Sequence, residues 1–75
     1  MKVYIVLIND RHTDIEVEAF SSDEKAIDYA RKTAKEYCGS PEIYEESQIS
    51  DWLFYARYSS EEDYVRVVER EIDIK

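Results

Sequence analysis

From Lys2 to Asn9 the chain reads Val-Tyr-Ile-Val-Leu-Ile between polar ends, a β-branched run of strand length rather than helix length. An apolar run without alternation belongs in the middle of a sheet, where both faces of the strand meet other side chains. Asn9 to Asp14 then supplies turn chemistry, because Asn and Asp side chains bond their own backbone. The pattern resumes from Thr13 to Phe20 as a strict alternation, with Ile15, Val17 and Ala19 on one side and Glu16 and Glu18 on the other. These two runs predict a hairpin. The glutamates suit its second strand to an edge, since charge there discourages pairing with a stray strand.

At Phe20-Ser21-Ser22-Asp23-Glu24-Lys25-Ala26 the period changes from two to 3.6. Ser21 followed three residues later by Glu24 reads as a capping box, in which each side chain satisfies a free backbone donor of the first turn. A helix is expected from Ser22 to Cys38. Its apolar stripe is Ala26, Ile27, Ala30, Ala34, Tyr37 and Cys38, with Asp28, Arg31, Lys32 and Lys35 opposite. The alanines allow a close approach to a sheet, and Gly39 followed by Pro41 ends the helix. On this reading Cys38 is a small core residue of the last turn.

Pro41 to Ser50 is read as a loop or a single helical turn. Asp51 to Tyr58 is a strand by its large alternating residues, Trp52, Phe54 and Tyr58 on one face and Leu53 and Tyr55 on the other. Beyond Ser59 two readings compete. Tyr58-Ser59-Ser60-Glu61-Glu62 echoes the earlier helix start, whereas Val65, Val67, Val68, Ile72 and Ile74 are β-branched and alternate with period two. The strand is preferred, with a bulge at Val67-Val68 restoring the phase. The fold class expected is α+β: a two-layer ββαββ unit, a four-stranded antiparallel sheet with one helix on one face.

One helix leaves the second face of such a sheet open. In the first strand Val3, Ile5 and Leu7 face one way and Tyr4, Val6 and Ile8 the other, so large apolar side chains remain on the open face, beside Glu16 and Glu18 or their diagonal neighbours. A patch of this kind marks an interface. It is covered internally if Pro41 to Ser50 folds back with Ile43, Tyr44 and Ile49; otherwise a homodimer through the open face is the simplest assembly.

With 75 residues, the whole of 1–75 is read as one small domain, and 44% hydrophobic residues with a single Gly and a single Pro argue for a folded chain. Cys38 is the only cysteine, which excludes an intrachain disulfide and suits a reducing compartment. Met1 to Ile8 is too short for a membrane span and lacks a signal-peptide cleavage site, so a cytoplasmic protein is expected. The net charge of −8 is uneven: −2 up to Gly39 and −6 from Ser40 onward. A surface this acidic repels nucleic acid and anionic membrane and attracts basic partners, including proteins whose grooves hold phosphates.

The chemistry of catalysis is sparse. Asp10, His12 and Asp14 alternate in the first loop, yet three ligands on one short loop without supporting residues make a poor metal site, and no metal or cofactor is expected. No nucleophile elbow, Gly-rich phosphate loop or basic stripe is present, and Glu45-Glu46 and Glu61-Glu62-Asp63 lack an apolar pocket to raise a carboxyl pKa. An enzyme is not expected. Among seven tyrosines, two phenylalanines and one tryptophan, Tyr4, Tyr37 and Trp52 are assigned to the core. Tyr44, Tyr55, Tyr58 and Tyr64, in the acidic half, are candidate interface anchors.

The segments Met1 to Val6 and Ala19 to Ala30 together resemble the opening of many small uncharacterised bacterial, archaeal and phage domains, in which a hairpin ending in Phe-Ser-Ser leads into a helix beginning Glu-Lys-Ala. The resemblance covers about the first half of the chain and implies a fold, without an active site. In size, charge and strand order the chain is also similar to some small phage-encoded anti-CRISPR inhibitors, which occupy the basic grooves of nucleic-acid-binding effectors. The expectation is a non-enzymatic interaction module, an inhibitor whose acids imitate phosphates and bind a basic or nucleic-acid-binding protein. Its partner-binding residues are Glu42, Tyr44, Glu45, Glu46, Tyr55, Tyr58, Glu61, Glu62, Asp63 and Tyr64. The alternative is a dimeric regulator that binds a small molecule or metal between open faces or at the Asp10-His12-Asp14 loop.

Overall fold

The computed structural model describes residues 1–11, 14–39, 42–47, 51–59 and 63–72. Its elements are β1 (Lys2–Asn9), β2 (Glu16–Phe20), α1 (Asp23–Tyr37), β3 (Glu45–Glu46), β4 (Phe54–Arg57) and β5 (Tyr64–Glu71). The strands form one sheet in the order β2-β1-β5-β4-β3, and every neighbouring pair is antiparallel. The α+β class and single helix agree with expectation; the sheet has five strands rather than four. The addition is the two-residue β3, within the segment read as a loop.

The doubly apolar β1 is indeed interior, between β2 and β5, and β2 is the edge beside it. All of β1 pairs with β5, from Lys2 opposite Glu71 to Asn9 opposite Tyr64. That register is continuous, so the predicted bulge at Val67-Val68 does not occur. Val67 and Val68 point to opposite faces because β5 is itself interior and is apolar on both sides there. The competing helical reading also fails after Asp63, where the β-branched residues find strands on either side. Ser60, Glu61 and Glu62 lie outside the described residues.

Helix α1 starts one residue later than the capping box required. Ser22 is the N-cap, extended at φ −128° and ψ 135°, and its hydroxyl accepts a 3.5 Å hydrogen bond from the Lys25 amide. Ser21 is therefore outside the helix, and Glu24 cannot serve as its reciprocal partner. Asp23 and Glu24 still place negative charge in the first turn, where the helix dipole favours it. At the other end Cys38 leaves the helix with extended backbone (φ −76°, ψ 119°), and Gly39 takes no left-handed conformation. The chain departs at Cys38 instead of turning on the glycine.

The core lies between α1 and one face of the sheet. Ala26, Ala30 and Ala34 are wholly buried, with Thr33 beside them, and bring the helix onto Val6 and Ile8 of β1, Val65 and Val67 of β5, and Phe54 and Ala56 of β4. Phe20, at the end of β2, meets Tyr29 of α1 with ring centroids 5.2 Å apart. Cys38 is partly buried against this core, in keeping with its assignment. Tyr37, assigned to the apolar stripe, is 46% exposed. Among the described residues no helix is long and apolar enough to cross a membrane.

Candidate interaction surface

The strand registers define the face that α1 leaves open. Side chains alternate along a strand, so Val17 and Ala19 of β2 share this face with Val3, Ile5 and Leu7 of β1. Tyr64, Arg66, Val68 and Arg70 of β5 and Tyr55 and Arg57 of β4 complete it. Ile15 and Val17 are 63% and 58% exposed. Glu16 and Glu18 stand on the helix side with Phe20, not beside the open patch.

The β4 end of this face carries an aromatic shelf. Trp52 lies 5.7 Å from Tyr55 and 6.2 Å from Tyr64, nearly parallel to the latter at 13°, while Tyr55 and Tyr64 are 5.2 Å apart. The Arg66 guanidinium sits 4.6 Å from the Trp52 ring, a cation–π contact. Trp52 was expected to share a face with Phe54 and Tyr58. The ladder begins only at Phe54, with a bend at Leu53 before it, and Trp52 packs on Tyr55 and Tyr64 over the open side. Beneath its edge, Asp51, Trp52, Val68, Glu69 and Arg70 line a depression of about 370 Å³.

In the segment from Pro41 to Ser50, read as a loop or helical turn that could cover the open face, the described residues 42–47 include a short strand and do not cover that face. β3 pairs Glu45 with Arg57 and Glu46 with Ala56, extending the sheet edge, and Tyr44 packs against the core on the helix side. Ile43 is half-buried, and Pro41 and Ile49 lie outside the described residues. Arg31 of α1 donates to both carboxylate oxygens of Glu46, Nε to Oε2 at 3.0 Å and Nη2 to Oε1 at 3.3 Å, and Tyr44 donates to Oε2 at 2.6 Å. Arg31 thereby holds the Glu46 carboxyl below the usual carboxylate range, while burial and this carboxylate push the Tyr44 hydroxyl up. On the opposite side of the same strand Glu45 meets Arg57 at 3.5 Å.

A second polar cluster closes the far end of the sheet. Tyr58 donates to Asp10 Oδ2 at 2.6 Å, the Arg11 amide donates to Asp63 Oδ1 at 2.8 Å, and the Tyr58 amide donates to the Asp63 carbonyl at 3.1 Å. Tyr37 meets Tyr58 edge-on at 5.8 Å. Burial, then Asp10, drive the Tyr58 hydroxyl well above its ordinary pKa. The cluster fastens the chain after β1 to the β4–β5 connection, which is a structural task.

The eight described residues of the ten proposed from sequence therefore do not form one surface. Tyr58 and Asp63, each 3% exposed, are interior and offer nothing to a partner. Glu45 and Glu46 are exposed but engaged by arginines, Glu42 is exposed, and Tyr44 is half-buried. Tyr55 and Tyr64 are together on the open face, and Glu61 and Glu62 lie outside the described residues. His12 does too; among the described residues no three His, Cys, Asp or Glu side chains gather as metal ligands. The aliphatic patch of Val3, Ile5, Leu7, Ile15 and Val17 was not assigned as the site. Phe20 carried the missing signal: as an aromatic beside the helix start it belongs under the helix, and its parity places Glu16 and Glu18 there and Val17 opposite. Comparison of the chain with protein-family models, curated proteins and solved structures finds no significant match.

Proposed function

We propose that this chain is a non-enzymatic protein-interaction module that docks its open sheet face onto a partner protein. The observation that carries the reading is the contiguous aliphatic patch of Val3, Ile5, Leu7, Ile15 and Val17, which no described element covers, continued by the Trp52 shelf. Exposed apolar area next to aromatic and arginine side chains is the composition of a protein interface. An inhibitor that works by occupying a partner's surface falls within this class. The version based on phosphate mimicry has less support, because Glu45 and Glu46 spend their charge on Arg57 and Arg31 and Asp63 is buried.

A photo-crosslinking residue placed at Val17, compared with one at Lys32 on the outer helix surface, tests the reading in extract from the source cell. Defined adducts to another protein are expected from position 17 alone. Equal labelling from both positions sinks the proposal. A homodimer through the same face is the second reading, and adducts of twice the chain mass identify it.

A further inference from the structure

The net charge of −8 points to a basic partner, yet the charges are sorted by sheet face. On the helix side the strands carry Glu16, Glu18, Glu69 and Glu71, with Lys2 held 3.5 Å from Glu69. On the open side they carry Arg57, Arg66 and Arg70, and no acid of β1, β2, β4 or β5 points there. Glu45, on the far edge strand, is the one strand carboxylate on this side, and it faces Arg57. The strand positions of this face are thus cationic on an acidic protein, with Asp51 beside Arg70 at the depression under Trp52.

Pairing fixes how the cations sit relative to the apolar patch. Val17 is opposite Leu7, Leu7 opposite Arg66, and Arg66 opposite Tyr55, so one cross-strand row runs apolar, apolar, cation, aromatic. Val3 is likewise opposite Arg70. With strands spaced about 4.8 Å apart, the aliphatic stripe on β1 and β2 is about 10 Å wide and is bordered along β5 by the two guanidinium groups. A helix is about 10 Å across with its side chains. Resting on the reading of the open face as the docking surface, we infer that the occupant of this positively bordered stripe is an amphipathic acidic segment of another protein. Apolar side chains lie on Leu7, Ile5 and Val17, and carboxylates on one flank meet Arg66 and Arg70.

Other occupants fit less well. Two copies meeting face to face bring four such arginines, two from each copy, into an interface whose β1, β2, β4 and β5 strands supply no carboxylate, and desolvated charges without partners are costly. A nucleic acid would find the shelf and the arginines, but an aliphatic stripe contributes nothing to phosphate or base recognition, and the chain as a whole repels polyanions.

Two synthetic helical peptides with the same Leu stripe, one flanked by Glu and one by Lys at identical positions, test the inference against the intact chain. Trp52 emission and the anisotropy of labelled peptide report binding. The Glu peptide is expected to bind at least tenfold more tightly, about 1.4 kcal/mol, with the advantage shrinking as salt rises. Arg70→Glu, at a side chain that donates to the Glu69 carbonyl, is expected to reduce that preference, and Arg66→Glu with Arg70→Glu to invert it. Equal or tighter binding of the Lys peptide overturns the inference while leaving the docking face intact, since net charge would then govern. Quenching of Trp52 by a single-stranded oligonucleotide, or a doubled mass by light scattering that Val17→Asp abolishes, also overturns it. If neither peptide binds and Val17→Asp changes nothing, the docking reading itself fails.

Discussion

The two faces of this sheet start from the same chemistry and end differently. Along β1, Val6 and Ile8 are almost completely buried, while their neighbours Ile5 and Leu7, as apolar and one residue away, remain half-buried on the other side. The difference arises above the sheet. On one side three alanines let α1 settle onto the strands; on the other, among the described residues, Trp52 and its aromatic neighbours give cover, towards β4. Hydrophobicity of a strand therefore states how many faces can be buried, and the elements packed against it decide which one is.

The largest expected effect tests that contrast within one strand. Ile8→Ala should destabilise the fold by about 2–5 kcal/mol, the range for emptying a closed core site, whereas Ile5→Ala should cost clearly less. Urea denaturation of the two variants measures the gap, and equal losses would mean that the open face is as tightly packed as the core.

Next in size is the cluster that fastens the loop end. Tyr58→Phe removes the donor to Asp10 and should cost about 1–3 kcal/mol, the order for one part-buried hydrogen bond to a carboxylate. The folded state holds the Tyr58 proton more firmly than the unfolded chain does, so its contribution is complete below the ordinary tyrosine value of 10.0 and declines as pH rises beyond it. Thermal melts across alkaline pH should show wild type losing stability more steeply than the Phe variant.

A smaller effect belongs to the β3 edge. Arg31 lowers the Glu46 pKa, so the pair stabilises the fold above the ordinary carboxylate value of 4.5, and the contribution disappears as pH falls through the lowered one. Both side chains are partly solvated, which limits Glu46→Gln to about 0–1 kcal/mol at neutral pH. Chemical denaturation at pH 7 and pH 3 should show a smaller difference at the lower pH. Smallest of all, Val17→Asp should move stability by no more than about 0.5 kcal/mol, as for other exposed sites. A loss of several kcal/mol on calorimetry would place Val17 in a packed interior and break the distinction between the faces.

The fold was legible where one signal sufficed. The run from Val3 to Ile8 marked an interior strand, the alternation from Ile15 to Ala19 an edge strand, and the β-branched residues after Tyr64 a strand despite the helix-like serines and acids before them. The misses occurred where tertiary partners override local pattern. Glu45 and Glu46 are poor strand formers held in a ladder by β4, with Arg57 and Arg31 taking their charges. Val67-Val68 breaks the alternation of a one-sided strand only if one side is wet, and here both are covered or apolar. The N-cap differed by one residue because Ser21 and Ser22 offer the same hydroxyl. The site was less legible than the fold: acidity drew attention to residues beyond Gly39, while charge sorting between faces becomes visible only once the registers are known.

The pairing of β1 with β5 also sets the order of events in folding. The middle of the sheet joins strands from opposite ends of the described chain, as in Lys2 opposite Glu71, so its formation closes a loop of nearly the full length. On a ribosome the β1–β2 hairpin and α1 emerge first, with one edge of β1 unpaired until β5 arrives. Completion of the core is then a late, all-or-none step whose rate reflects long-range contact formation, and the exposed edge of β1 is the segment most in need of protection during that interval.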